Sequence, residues 1–478
     1  MAKLVIQNSK PSIVWINSEL IEEKIGGQYY STEYIQYENI LRNNKLVNFG
    51  DVICEYNGGP MGFQLHSYDY VAEGIPVLRT KDISELTVEF NDPIFITKEK
   101  HEELKNSKTY SGDIIISKTG QIGVVAVVPF NVKEANLNQA LCNVRVKEVV
   151  IDNYFLAVFL NSKYGQYQFI RQGEGKAVQN GLTKDEILAL EIPVISPEIQ
   201  KYIGDKVRKA EELRAEAKRL KKEAEEIFSQ KTDEERLMIL LNQSEEQKHN
   251  WVKGINIDNS RLDAEYNQKK YTIINEFFVK NGVMMKTVND FTAEIIVSGS
   301  TPKGANYLKQ GIPFVRATNL SDYTINDDLV YISNEESQKL KGSEIKDGDI
   351  VYSIAGSIGV VSIVPEYIEK ANINQALVRL RLKNINNYYF MFVANSNLGR
   401  MLSSRQANGA VQLNLNREEV GNILVPILND NIQSTIGNKI ERYIQTLKES
   451  KKLVQEAKQD VEDLIEGNFD MSKIKEIN

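Results

Sequence analysis

The sequence predicts an α+β protein in which two repeated mixed α/β domains are separated by two long helices that form an antiparallel coiled coil. Three observations predict this fold: an internal repeat, short β-rich runs within each copy, and a heptad pattern after each copy. The chain has 478 residues, of which 42% are hydrophobic and 26% charged, so it can form more than one hydrophobic core.

The internal repeat is the strongest of the three observations. Four motifs recur in the same order and at nearly constant spacing: GIPVLR at 74–79 as GIPFVR at 311–316, GDIIIS at 112–117 as GDIVYS at 348–353, ANLNQAL at 135–141 as ANINQAL at 371–377, and IPV at 192–194 as VPI at 425–427. The lead-in to the first copy, residues 24–29, corresponds to residues 261–266 before the second. Chance does not produce an ordered set of this kind, so the chain contains a duplicated domain.

The globular part of each copy covers residues 45–195 and 285–428. Runs such as Asp113–Ser117 and Val124–Val128 are rich in β-branched residues and are bounded by glycine or proline, which predicts the short strands of a curved sheet. The glycines of the loops at 118–123 and 354–359 predict tight turns, whose backbone amides can also approach a phosphate.

Each copy is followed by a long amphipathic helix. Apolar residues form one seam at Ala210, Leu213, Ala217, Leu220, Ala224 and Ile227, and a second at Ile440, Leu447, Val454 and Val461. Ser196 and Pro197 predict the start of the first helix, and Asn429 or Asp430 is expected to cap the second. Charged flanks favour pairing of the two helices, and packing of each helix on its own domain is the alternative.

These patterns divide the chain into five segments. A domain at 1–195 is followed by the first helix and its linker at 196–245. A second domain at 246–428 is followed by the second helix at 429–466 and a C-terminal tail at 467–478.

Composition excludes several classes of protein. No apolar run marks a signal peptide or a membrane span, and a chain with two cysteines is not a secreted disulfide scaffold. Cys54 and Cys142 are predicted to be buried thiols in a reducing cytoplasm. The net charge of −7 does not exclude nucleic acid as a partner, because acidic helices far from a cleft are screened within about 10 Å.

The motifs of common enzymes are absent from the sequence. No Asn-Pro-Pro-Tyr or Asp-Pro-Pro-Tyr run marks an amino-methyltransferase, and no glycine motif follows a strand to bind S-adenosylmethionine. The run GEGKA at 173–177 lacks the Ser or Thr and the upstream glycine of a phosphate loop. His66, His101 and His249 lie far apart in sequence. The sequence therefore predicts a protein without catalytic residues, metal or cofactor.

The ordered motifs resemble those of the specificity subunits of type I restriction-modification systems. The resemblance covers nearly the whole chain and includes the GDIIIS strand, the Gly-x-x-Gly loop, the Asn-x-Asn-Gln-Ala-Leu segment, the Ile-Pro-Val strand, the long helix and RLDAEY at 261–266. It implies that each globular copy is a target-recognition domain that reads one half of a split sequence in double-stranded DNA. It also implies that two methyltransferase subunits dock on the helices and that restriction subunits join through the methyltransferase.

Other functions stay open at this point. The recognition subunit of a type IIB enzyme or of another phage-defence methyltransferase complex is the nearest alternative, and the neighbouring genes would decide it. A stand-alone nuclease would cleave plasmid DNA with magnesium alone. A coiled-coil adaptor would not bind DNA even with a methyltransferase present.

Comparison of the two copies selects the candidate DNA-binding residues. Residues shared by both copies are expected to maintain the fold and contact phosphates, whereas residues that differ are expected to read bases. For the shared amides of 136–139 and 372–375, satisfaction of buried backbone groups is the alternative, and for the segments 171–176 and 405–409 it is an exposed, solvated loop. The candidates are Asn57, His66, Arg79, Lys81, Lys118, Gln121, Arg171, Lys176, Gln179, Lys303, Arg316, Thr318, Asn319, Ser357, Arg405 and Gln412.

Overall fold

A computed structural model describes residues 29–90, 92–173, 181–245, 261–302, 304, 307–409 and 413–475. The chain divides into two compact units: unit 1 comprises residues 1–214 and 448–478, and unit 2 comprises residues 215–447. Each unit therefore contains one globular copy of the repeat and part of each long helix.

The first copy combines short helices with short strands. Its described helices are α1 (Thr32–Leu41), α2 (Phe49–Val52), α3 (Lys98–Glu103), α4 (Asn153–Asn161), α5 (Lys163–Gly173) and α6 (Lys184–Leu188). Its described strands are β1 (Leu46–Asn48), β2 (Ile53–Gly58), β3 (Tyr70–Val71), β4 (Ile75–Leu78), β5 (Ile83–Ser84), β6 (Thr87–Val88), β7 (Ile94–Ile96), β8 (Lys108–Tyr110), β9 (Ile114–Ser117), β10 (Val125–Val127), β11 (Glu134–Leu137), β12 (Leu141–Val146) and β13 (Glu191–Pro193).

The second copy repeats this mixture between the two long helices. The remaining described helices are α7 (Pro197–Thr232), α8 (Glu234–Glu245), α9 (Lys269–Lys280), α10 (Asn334–Lys339), α11 (Asn387–Asn395), α12 (Asn397–Gln406), α13 (Arg417–Gly421), α14 (Asp430–Ile465) and α15 (Ser472–Lys475). The remaining described strands are β14 (Met284–Thr287), β15 (Val297–Ser298), β16 (Ile312–Val315), β17 (Leu320–Ser321), β18 (Thr324–Ile325), β19 (Val330–Ile332), β20 (Glu344–Ile345), β21 (Ile350–Ser353), β22 (Val361–Ile363), β23 (Ala371–Ile373), β24 (Leu377–Leu380) and β25 (Leu424–Ile427).

Unit 1 is built on two sheets. One is antiparallel, in the order β10-β9-β12-β2. The other has the order β3-β7-β4-β11-β8, and its β4 and β11 run parallel. The β-branched residues of β9 and β10, among them Ile114, Ile116 and Val125, pack with α4 in the main core of the unit.

Unit 2 has the same topology except that, among the described residues, its second sheet has four strands and lacks a counterpart of β3. Its antiparallel sheet has the order β22-β21-β24-β15, and its second sheet has the order β19-β16-β23-β20 with β16 and β23 parallel. In both units a separate pair of strands, β1 with β13 or β14 with β25, joins the start of the copy to its end. The prediction of a duplicated mixed α/β domain is confirmed.

In unit 1 the long helices pack against each other in antiparallel fashion. Lys206 Nζ of α7 lies 2.5 Å from Asp460 Oδ2 of α14, and Ser450 Oγ donates to Ala210 O at 2.9 Å. Partners on α14 thus have lower numbers as α7 proceeds. Ala210 and Val461 of the predicted seams are fully buried.

Unit 2 contains the same arrangement. Glu216 of α7 pairs with Arg442 of α14 at 2.7 Å, and Glu223 pairs with Lys439 at 2.5 Å. Parts of both helices also belong to the cores of the globular copies in both units. The two packing arrangements weighed from the sequence therefore occur together. At the start of α14, Asn429 Oδ1 accepts from Ile432 N–H at 3.0 Å, which is the expected cap.

Two predictions about local structure are wrong. Cys54 is exposed on β2, and only Cys142 is buried, where burial raises the pKa of its thiol to about 11. Arg171 and Arg405 lie in the last turns of α5 and α12 rather than in loops. Within the described ranges, no helix has both the length and the apolar composition needed to cross a membrane.

Candidate functional site

In unit 1, several loops that carry predicted site residues meet at one end of the antiparallel sheet. Gly58, at the end of β2, pairs with Cys142 near the start of β12. Ser117, at the end of β9, pairs with Leu141, the first residue of β12. This surface is named the loop end of unit 1, and it comprises residues 58–64, 118–123, 138–140 and 181–182.

The loop at 118–123 is closed by a buried hydroxyl. Ser117 Oγ donates to Gln121 O at 2.5 Å and accepts from Val124 N–H at 2.8 Å. Gly120 and Gly123 adopt positive φ angles of 74° and 81°, which favour glycine. The loop is therefore a tight turn that presents Gln121 to solvent, and Lys118 beside it is half-buried.

Two further candidates of unit 1 lie near this surface. Asn57 donates to Glu55 Oε1 at 2.9 Å, so its amide belongs to a network on the sheet. The ring of His66 stacks on that of Tyr68, with centroids 4.9 Å apart. This stack fixes the orientation of an exposed aromatic side chain.

The unshared segment at 56–66 is predicted from the sequence to read bases, but the candidate residues do not include the exposed apolar residues of this loop, which follows β2. Met61 and Phe63 are 62% and 71% exposed, on a turn closed by hydrogen bonds between Met61 and Gln64. Tyr68 is 79% exposed on the same loop. Apolar residues within a run that is rich in glycine and proline are the only sequence signal for this surface. Planar or apolar side chains in this position can contact base edges or thymine methyl groups.

The loop end of unit 2 is built in the same way. Ser353 Oγ donates to Ser357 O, and Val360 N–H donates to Ser353 Oγ at 2.9 Å, so this loop is a tight turn as well. Ser357 is exposed on it. Residues 299–302 take the place of 59–62, and Thr301 hydrogen-bonds to Gln375. The loop end of unit 2 comprises residues 299–302, 354–359, 374–376 and 413–415.

The shared arginines of the two copies have different partners. Arg79 donates to both carboxylate oxygens of Asp82, at 2.8 and 3.1 Å, and these bonds raise the pKa of its guanidinium. Arg316 has Asn319 in the same place, at 3.4 Å, and lies 5.9 Å from the centroid of the Tyr307 ring. A carboxylate therefore neutralises Arg79 in unit 1, whereas neither Asn319 nor Tyr307 can neutralise Arg316 in unit 2.

The structure places two candidates inside the fold. The half-buried arginine at the end of α12, Arg405, stacks over the ring of Tyr266 at 4.6 Å. Arg171 is buried, pairs with Glu38 at 2.8 Å and lies 4.1 Å from the centroid of the Tyr29 ring. Both arginines therefore anchor the lead-in segment of their own copy instead of reaching outward.

The remaining candidates divide into three groups. Lys81 forms an exposed ion pair with Asp92 at 2.7 Å. Thr318 is exposed, but Asn319 is buried, and its amide donates to Asp328 O at 2.6 Å, so Asn319 is engaged within the fold. Four candidates lie outside the described residues: Lys176, Gln179, Lys303 and Gln412.

The first shared asparagine of each copy hydrogen-bonds to a buried backbone carbonyl, which is the alternative to DNA contact that was weighed from the sequence. Asn136 donates to Leu104 O at 3.1 Å and to Ser107 Oγ at 2.8 Å. Asn372 makes the equivalent bonds in unit 2, at 3.0 and 3.1 Å. Both side chains are fully buried, so these bonds avoid the cost of unsatisfied polar groups.

The aspartate of each GDI motif forms a clamp with an arginine. Asp113 accepts from Arg145 through both carboxylate oxygens, at 2.9 and 3.0 Å, and these bonds raise the pKa of that guanidinium. Asp349 and Arg381 make the same bidentate pair at 2.7 and 3.0 Å. Across the described residues there is no group of three or more His, Cys, Asp or Glu side chains arranged for a metal ion.

The same family is found by comparison with known proteins. A model described as type I restriction modification DNA specificity domain matches residues 42–226 and 280–459. The type I restriction enzyme EcoBI specificity subunit of Escherichia coli is 27% identical over 155 residues, which are 32% of either chain. The putative type I restriction enzyme MjaX specificity subunit of Methanocaldococcus jannaschii is 26% identical over 157 residues, 33% of this chain and 34% of that one. The match spans about a third of the length of both curated relatives.

Solved structures also match over most of the chain. The crystal structure of a type I restriction-modification system S subunit from M. genitalium covers 90% of this chain and 97% of its own. The identity is 14% and the TM-score is 0.45.

Proposed function

The chain belongs to the type I restriction modification DNA specificity domain family, and from this premise we propose that it is the DNA-recognition subunit of a restriction-modification system. Unit 1 reads one half of a bipartite duplex target with its loop end, and unit 2 reads the other half. One observation carries the proposal: the same framework occurs in both units, while the exposed loops that follow Gly59 and Gly299 differ in sequence. Shared contacts position a protein on DNA, whereas unlike contacts specify unlike bases.

The loop ends supply the chemistry that such reading needs. Gln121 is an exposed amide, and amides can bond to base edges in the major groove. Lys118 lies close to Gly58 in the same loop end and can neutralise a phosphate. Phe63 adds an apolar contact surface in unit 1.

The subunit works with partners in this proposal. Two methyltransferase subunits dock on α7 and α14, and restriction subunits join through the methyltransferase. The outer faces of these helices carry exposed ion pairs such as Lys209 with Glu212 and Lys222 with Glu226, which suit a polar protein interface. The subunit itself is non-catalytic, so purified protein with magnesium should leave plasmid DNA intact.

Methylome sequencing tests the proposal. A host that expresses this chain with its methyltransferase should show methylation at one split motif. Replacement of residues 45–195 by the equivalent part of a relative should then change only one half of that motif. The absence of any methylated motif would refute DNA recognition, and a change in both halves would refute independent reading.

A further inference from the structure

We propose that Gln139 and Gln375 are positioning residues for DNA recognition: each holds, within its own unit, the unshared loop that leaves the sheet after Gly59 or Gly299. The inference rests on the proposed function, because it names the residues that set the geometry of the same two loop ends.

The turn that carries each glutamine is fixed from the inside. Asn136 and Asn372, three residues before the glutamines, are the buried amides that bond to Leu104 O and Leu340 O. The strands that end in these turns, β11 and β23, each lie between two partner strands. The glutamine itself is exposed in both units. A rigid turn therefore places an identical flexible side chain at the same point of each loop end.

The unshared loop crosses this turn at contact distance. The N–H groups of Gly59 and Gly299 donate at 2.9 Å to the carbonyl of the first residue of β12 and β24. A Cβ on Gly59 would lie 1.8 Å from Asn138 O, and a Cβ on Gly299 would lie 2.0 Å from Asn374 O. Only glycine allows the loop to pass so close to the turn, so the next residues of the loop come within reach of the glutamine side chain.

In unit 2 the glutamine bonds to the loop just beyond the crossing, and in unit 1 it lies beside the loop at the equivalent place. Gln375 Oε1 accepts from the hydroxyl of Thr301. Gln139 Oε1 lies 3.2 Å from the position that a Cβ on Gly62 would take, on the turn that presents Phe63. The two glutamines thus lie beside loops of unlike sequence at the same place in the fold.

An identical side chain cannot by itself distinguish two unlike half-sites. A glutamine that orders an unlike loop can serve both, because the loop then supplies the discrimination. The structure therefore favours action through the loop over direct base contact by the glutamine.

A double-mutant cycle in unit 2 tests the inference. The variants Gln375→Ala, Thr301→Val and the double variant are assayed as the full chain with its methyltransferase, on duplexes with single base-pair changes in either half-site. We expect each single variant to lose about fivefold discrimination in the half-site of unit 2, since one hydrogen bond is lost. The double variant should lose no more, and discrimination in the other half-site should not change.

Thr301→Ser is the matched control, because it retains the hydroxyl and should retain the discrimination of wild type. If the losses of the two single variants multiply in the double variant, Gln375 contacts DNA itself, and the inference is overturned. Equal losses in both half-sites, or unchanged discrimination, would overturn it as well. Failure of the proposed function is a different result, because the wild-type complex would then methylate no motif.

Unit 1 provides a second test. Gln139→Ala should relax only the half-site of unit 1. Gly59→Ala meets backbone and should lose that half-site, whereas Gly62→Ala meets only the end of the Gln139 side chain and should keep most of the discrimination. A larger effect of Gly62→Ala than of Gly59→Ala would contradict the crossing geometry.

Discussion

The two units hold the end of a long helix by different chemistry. In unit 1 an ion pair adds to the apolar packing at the end of α14: Lys163 Nζ lies 2.5 Å from Oε1 of Glu466, the residue after the helix, and Tyr164 donates to the same carboxylate at 2.9 Å. In unit 2 the last turns of α7 are held by packing: Phe228 is buried edge-on against Phe392, with ring centroids 5.5 Å apart. The antiparallel sheets, the asparagine bonds and the Asp–Arg clamps are nevertheless the same in both units.

This difference shows which contacts of the fold can be exchanged. A buried amide that serves backbone groups has no apolar substitute, because an unsatisfied buried polar group costs about 1–3 kcal/mol. The contacts at a helix end are less specific, and either an ion pair or an aromatic pair can contribute to them. The duplicated fold therefore conserves its internal hydrogen bonds and varies its helix anchors and its loops.

The largest expected effect concerns the aromatic anchor of unit 2. Phe228→Ala should lower the free energy of unfolding of unit 2 by about 3–5 kcal/mol, because it empties a fully buried aromatic site. Hydrogen-exchange mass spectrometry, which reports each unit separately, measures the loss. Glu466→Gln at the equivalent anchor of unit 1 is the control and should cost less than about 1 kcal/mol. Similar losses for the two variants would remove the distinction between the anchors.

The Asp–Arg clamps should behave alike in the two units. Asp113→Ala and Asp349→Ala each remove a buried carboxylate that accepts two charge-assisted bonds, and each should cost about 2 kcal/mol because the arginines stay partly solvated. Protection of the amides in β9 and β21 from hydrogen exchange is the measurement. A clear difference between the two losses would mean that the shared framework is not equivalent.

The arginine of the GIP motif distinguishes the units by charge. Asp82→Asn converts the environment of Arg79 into that of Arg316 and should cost unit 1 about 1–2 kcal/mol, through loss of a charge-assisted pair. It should also steepen the salt dependence of DNA binding by about one counterion, because a guanidinium becomes available to phosphate. Binding titrations over a range of salt concentrations measure the slope, and Glu212→Gln, at the exposed pair with Lys209 on α7, is the control. An unchanged slope would show that Arg79 does not face DNA.

The smallest expected effect is a pH dependence at the Glu466 anchor of unit 1. Lys163 and Tyr164 hold the pKa of Glu466 below its ordinary value. A carboxyl whose folded pKa is lowered stabilises the fold above its unfolded pKa, and this stabilisation is lost as the pH falls through the folded value. As the pH falls below about 4.5, the end of α14 should therefore lose up to about 1 kcal/mol of protection, whereas the contact of Phe228 with Phe392 contains no titratable group. Glu466→Gln should abolish the difference.

Periodicity and repetition predicted much of this fold from the sequence. The seam residues Ala210, Ala217 and Val461 are buried, because an apolar heptad seam with charged flanks leaves only one face of the helix that can pack. The shared motifs form the same strands and turns in both units. The structural alternative for Asn136 is also confirmed, since a repeated polar residue beside apolar ones often serves buried backbone.

The candidate site was less predictable, because it depends on contacts between distant residues. Arginine is a residue type that often contacts DNA, and the sequence around Arg171 does not show that Glu38 and Tyr29 lie against it. Thr318 is exposed as predicted, but its neighbour Asn319 is buried, and nothing in the local sequence distinguishes the two. Phe63 was missed because an aromatic residue in a sequence predicts core, and its exposure follows from a turn that only the structure reveals.

Unit 1 joins two stretches of chain that are far apart in sequence, and this affects how the protein is made. Val454, Ala457 and Val461 of α14 pack in the same core as Leu41 and Phe155, whereas unit 2 is one continuous stretch. On the ribosome, unit 1 begins first but cannot close its core until all of unit 2 has been translated, a wait of roughly 10 to 50 s at bacterial elongation rates. The usual order, in which the N-terminal part of a chain folds first, is reversed here. The first half of the nascent chain carries an open apolar surface that chaperones can bind until α14 emerges.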